Sequence, residues 1–124
     1  KFRSGVELAE VRKSPVAQLD RYSGTSMEYQ EVVSWDVGRV WGRPHGNLKE
    51  VSMRCAESAM YSHAVFKLTV KKTLMFQDKY ISNALTMPYP DNDVLDQGDE
   101  VLLEVKSDSG SGLVVDGVIT GCEF

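Results

Sequence analysis

Between Ala64 and Lys71 the chain alternates residue by residue. Ala64, Phe66, Leu68 and Val70 are interleaved with Val65, Lys67, Thr69 and Lys71. Successive side chains of a β-strand point to opposite faces, so this pattern describes a strand with one dry and one wet face, the habit of antiparallel sheets. The same period recurs. Val33, Trp35, Val37 and Trp41 share one parity, Val51, Met53 and Cys55 another, and Val101, Leu103 and Val105 a third. Leu113 to Thr120 reads as a last strand. Gly42-Arg43-Pro44-His45-Gly46-Asn47 supplies turn chemistry, and Ser107 to Gly112 reads as a hairpin loop.

The period changes once. Tyr80 with Ala84, and Ile81 with Leu85, are i,i+4 pairs, Asp78 is placed to cap, and Pro88 bars continuation. These signals predict a short helix over 79–86. The order is then three strands, a short helix and two strands. It predicts a mostly β domain: a small antiparallel barrel of the OB type, with five strands and one helix between strands 3 and 4. A β-sandwich with an extra N-terminal strand satisfies the same pattern.

Residues 1–26 read as an N-terminal arm of weak structure, and 27–124 as the β domain. Ser4 and Glu7 have capping-box spacing with Pro15 as a stop, yet Val6, Leu8 and Glu10 alternate with Glu7, Ala9 and Val11, so helix and strand both stay open. The chain has 124 residues, enough for one core and little more. Apolar content of 42% and charged content of 26% are those of a folded domain, and no apolar run is long enough to span a membrane.

Net charge is -4, which gives no reason to expect a polyanion as partner. The acids are concentrated late. After Pro88 a single basic residue, Lys106, stands against Asp91, Asp93, Asp96, Asp99, Glu100, Glu104, Asp108, Asp116 and Glu123. A solvated acidic edge accounts for them. Read as a calcium loop from Asp91, the segment has Leu95 and Asp96 where an EF-hand needs a ligand and a glycine.

Chemistry-bearing motifs are scarce. There is no phosphate-binding glycine loop, no nucleophile elbow and no paired-cysteine metal motif. Asp108-Ser109-Gly110 has the residues of a serine-nucleophile loop without its flanking pattern, so the hairpin loop explains it. His45 and His63 lack ligand-spaced partners, so neither a metal nor a cofactor is expected. Cys55 shares parity with Val51 and Met53, and Cys122 with Val114 and Val118. Both are read as pointing inward near strand ends and forming a disulfide, worth about 4 kcal/mol on the chain-entropy model.

Arg39, Trp41, Arg43 and His45 interleave aromatic and basic groups beyond Trp35, as a face that stacks bases or sugars would. Trp35, between Val33 and Val37, is read as core, and Trp41, next to the turn, as more exposed.

Three functions follow in order. The first is a non-enzymatic protein–protein interaction or assembly domain, exported to the periplasm, the cell envelope or the exterior, with a protein partner. Export is expected from the first residue, Lys1 rather than Met, and from the paired cysteines. The second is an OB-type domain binding carbohydrate or single-stranded nucleic acid through Trp35 or Trp41. The third is a small hydrolase centred on a histidine.

Overall fold

The computed structural model describes residues 13–89 and 94–124. Among these residues nine strands form two antiparallel sheets packed face to face. They are β1 (Ser14–Gly24), β2 (Gln30–Asp36), β3 (His45–Cys55), β4 (Ala64–Val70), β5 (Thr73–Lys79), β6 (Leu85–Pro88), β7 (Leu95–Asp96), β8 (Glu100–Ser107) and β9 (Leu113–Glu123). One sheet runs β1-β9-β3-β6 with β7 pairing β3, and the other runs β2-β8-β4-β5. The architecture is a β-sandwich, and the sheets do not close into the expected barrel.

The reason lies in β8 and β9. Each carries apolar residues on one face: Val101, Leu103 and Val105 on β8, and Leu113, Val115 and Ile119 on β9, all buried. Two such faces are best buried against each other, with one sheet on top of the other. Ser107 to Gly112 therefore carries the chain between sheets, where a hairpin loop was expected. Ala64, Phe66 and Leu68 of β4 complete one layer; Leu48, Val51, Met53 and Cys55 of β3 complete the other.

Trp35 lies between the layers at 2% exposure, on the face with Val33 and Val37 as the alternation predicts. Its indole needs a slot. A Cβ added at Gly46 would come 3.0 Å from the ring, and one at Gly121 2.9 Å, so these two glycines leave the space that the ring fills. In β2 the register with β8 shifts between Glu31 and Val33, and the bulge turns Val32 inward beside Val33.

The helix expected over 79–86 is absent. β5 runs to Lys79 and β6 begins at Leu85, so the intervening residues carry the chain from the edge of one sheet to the edge of the other. Asp78 has φ 55°, outside helical space, and its backbone N–H donates to the Tyr29 hydroxyl at 2.9 Å. The helical turn that does form is a 3₁₀ segment, Ser58–Ser62.

Residues 14–24, expected to be part of a weakly structured arm, are a strand paired with β9 at all eleven positions. Residues 1–12 lie outside the described ones. The expected Cys55–Cys122 bond is not formed, and both cysteines are free. Cys55 opposes Val115 and Cys122 opposes Asn47, so the two sit at opposite ends of the β3–β9 ladder. At about 3.3 Å per residue, eight positions along β3 separate them by about 26 Å, far beyond disulfide reach. They also point to opposite sides: along β9 the odd positions, Leu113 to Glu123, are buried and the even ones, Cys122 included, are half-buried on the outer face.

Candidate functional site

β2 ends at Asp36, so the aromatic and basic residues beyond it do not continue a strand. Gly38 and Gly42 take φ of 84° and 85°, and the N–H of Arg43 donates to the carbonyl of Val40 at 3.1 Å. Arg39, Trp41 and Arg43 therefore stand on a loop folded by two left-handed glycines. Trp41 is 95% exposed and Val40 beside it is exposed as well. Arg39 lies 3.4 Å from Asp36. His45 is the first residue of β3. Its Nδ1 is 3.1 Å from Asp96, and its ring is tilted 5.8 Å from that of Phe124.

Of the two tryptophans offered as a stacking platform, one is buried and the other is exposed. Trp35 is buried between the sheets, and its Nε1–H donates to Oε2 of Glu123 at 3.1 Å. The same oxygen accepts the backbone N–H of Gly38 at 3.2 Å. Glu123 is buried, so this carboxylate ties the end of β9 to the first turn of the Trp41 loop. Sequence reasoning did not single out Glu123. The signal was present: it is the one charged residue at a buried parity position of β9, and a buried acid must find donors.

Two hollows flank β1. One, of about 470 Å³, opens between β1 and β2 and is bordered by Val16, Gln18, Asp20, Trp35, Val40 and Arg43. The other, of about 640 Å³, lies against Leu19, Arg21, Met53, Leu85 and Val118. Leu19 and Asp20 border both. At 74% exposure Leu19 is, after Trp41, the most exposed large apolar side chain among the described residues.

His63 comes together with Asp108 and Ser109. Its Nδ1 is 3.2 Å from Oδ1 of Asp108 and 3.4 Å from Oγ of Ser109. A hydrolytic relay needs the serine on one ring nitrogen and the carboxylate on the other. Here both contacts fall on Nδ1, so the arrangement lacks triad connectivity. Asp108 also accepts from the Tyr80 hydroxyl at 2.9 Å, and its carboxyl is held below the usual range chiefly by that bond. The cluster fastens three loop segments.

Tyr29 forms a comparable staple. Its hydroxyl donates to Asp78 at 2.6 Å, and its ring lies 4.7 Å from Nζ of Lys106 and 5.4 Å from that of Lys67. Burial first, and then the bond to Asp78, push the phenol up to about 12. Among the described residues no group of three or more His, Cys, Asp or Glu side chains is arranged to hold a metal ion. Asp91 and Asp93, from the calcium-loop reading, lie outside the described residues. No described helix is long and apolar enough to cross a membrane.

No family model matches the chain, and no curated protein matches it. Among solved structures it is similar to a chain in the capsid asymmetric unit of cyanophage Pam1, at 10% identity and a TM-score of 0.50. The likeness covers 90% of this chain and 86% of the other, so the two are nearly equal in length and the shared fold spans both.

Proposed function

We propose that this chain is a non-catalytic structural module of a protein shell, held in place by contacts with other protein subunits. The observation that carries the reading is the correspondence of nearly the whole sandwich with a chain of similar size from a phage capsid. The surface supports it. Trp41 projects from a glycine-hinged loop between Arg39 and Arg43, and tryptophan and arginine are the residues on which protein interfaces most often depend. The His63 cluster gives no comparable support to hydrolysis, and the burial of Trp35 leaves base or sugar stacking to Trp41 alone.

Velocity sedimentation of native source material tests the reading. The chain is expected in a fast-sedimenting particle fraction in fixed proportion to a shell protein, and Trp41→Ala is expected to shift it toward the soluble fraction without lowering its melting temperature. Recovery of the wild-type chain entirely at the top of the gradient contradicts the proposal.

A further inference from the structure

Each sheet has two edges, and among the described strands three of the four are blunted. β2 carries a bulge between Glu31 and Val33. β5 shifts register twice against β4 and bends at the left-handed Asp78. β6 has four residues and β7 two. Bulges, short length, proline and charged side chains are means by which sheet edges avoid pairing with other chains. β1 is neither bulged nor short. It runs eleven residues against β9 without a register shift, and Ala17 to Arg21 are exposed on both faces. A strand that is paired on one side only presents a row of backbone donors and acceptors on the other.

Side chains along β1 are arranged to complement a second β1. Leu19 is its central residue, so an antiparallel pair that overlaps all eleven positions places Leu19 opposite its own copy. A dyad perpendicular to the sheet relates the two strands and keeps inner faces with inner faces. In that register Gln18 opposes Asp20 and Val16 opposes Tyr22 on the inner side, where their partners on β9 are Ile119, Gly117, Gly121 and Val115. The first pair can join amide to carboxylate, and the second packs an aromatic ring on a β-branched side chain. On the outer side Leu19 meets Leu19 and Ala17 meets Arg21, whose guanidinium stays bound to Asp116 at 2.7 and 3.0 Å. No like charges face one another. Sliding by two residues one way sets Asp20 against Asp20; sliding by four sets Arg21 against Arg21. Sliding by two the other way sets Asp20 against Val16.

We infer that β1 is a self-pairing edge, through which two copies of this chain join their β1-β9-β3-β6 sheets antiparallel with Leu19 on the two-fold axis. The inference deepens the shell-module reading, on which it rests, by naming one of the surfaces that assemble. Pairing would extend each sheet by the partner's, with affinity from main-chain hydrogen bonds and register from the alternating side chains.

Analytical ultracentrifugation of the purified chain, with Leu19→Asp and Leu19→Lys variants, tests it. Leu19 is exposed, so both variants should keep the wild-type melting temperature. The wild type is expected to show a concentration-dependent monomer–dimer equilibrium. Each variant alone should dimerise about tenfold or more weakly, because it places like charges opposite one another across the dyad. An equimolar mixture of the two should restore a dimer, because opposite charges then meet. A wild type that stays monomeric to millimolar concentration overturns the inference, and so does a dimer that both substitutions leave intact. The outcomes separate this inference from the shell reading. A monomeric chain that still sediments with particles ends the self-pairing alone; a dimer never found in particles ends the shell reading.

Discussion

Replacing Trp35 probes the joint between the two sheets. The indole is almost wholly buried, fills the space left at Gly46 and Gly121, and supplies one of the two donors to the buried Glu123 carboxylate. Truncation of a large buried aromatic to alanine costs about 3–5 kcal/mol through lost transfer energy and the cavity left behind. Losing a hydrogen bond to a charged acceptor adds about 1.5–3 kcal/mol, since Glu123 would keep only the Gly38 N–H. Trp35→Ala should therefore cost about 5 kcal/mol or more, a large part of a total stability of about 5–15 kcal/mol. Trp35→Phe keeps most of the volume and should lose mainly the bond, about 2 kcal/mol. Trp41→Ala, on the exposed loop, should stay within about 0.5 kcal/mol. Urea unfolding followed by circular dichroism gives all three, with the denaturant slope checking that the denatured state is unchanged. A benign Trp35→Ala beside a severe Trp41→Ala would refute the placement of the indole between the sheets.

The denatured, unreduced protein should titrate two thiols; in the native protein Cys122 should react first, because burial pushes the Cys55 thiol up to about 11 and covers it, and a count of zero would restore the disulfide. Lys71 and Lys72 form the two-residue β4–β5 turn with φ of 53° and 64°, a conformation that suits glycine, so Lys72→Gly should raise stability by about 0.5–1 kcal/mol in the same urea assay, and a loss would show that the turn is relaxed as it stands. The carboxyls of Asp78, Asp108 and Asp116 are held below their ordinary range by Tyr29, Tyr80 and Arg21 respectively, so their contribution is present above about pH 4 and is lost as pH falls through their folded values. The urea midpoint should drop across that acid range, and Asp116→Asn should make the drop shallower; an unchanged slope would remove Asp116 from the account. Glu100 has the opposite sign: partial burial first, then Asp36 and Glu31, raise its carboxyl, so Glu100→Gln should stabilise slightly at neutral pH and lose that advantage as the pH falls below the ordinary carboxylate range.

Alternation was legible wherever one face of a strand is dry. β4 and β8 follow the pattern that Ala64–Val70 and Val101–Val105 display, and Trp35 is buried as its parity required. β1 and β5 gave no such signal because both are exposed edges: Gln18, Leu19, Asp20 and Arg21 are all solvated, and so are Leu74, Met75 and Gln77. The sheet each strand joins was not legible, since the alternation of Val101, Leu103 and Val105 is the same whether β8 meets β9 edge to edge or face to face. β9 carries apolar residues on both parities, Val114 and Val118 as well as Val115 and Ile119, so parity alone did not reveal that Cys122 faces outward. The exposed loop residues Arg39, Trp41 and Arg43 were visible as a group, but the strand assumed to carry them ends at Asp36.

Electron cryo-microscopy of the particles in which the chain sediments tests the shell reading most directly. The account predicts a nine-stranded sandwich repeated with the symmetry of the shell, with the Trp41 loop covered by a neighbouring subunit. Particles whose symmetric density contains no such sandwich, although the chain is present in the preparation, would contradict it.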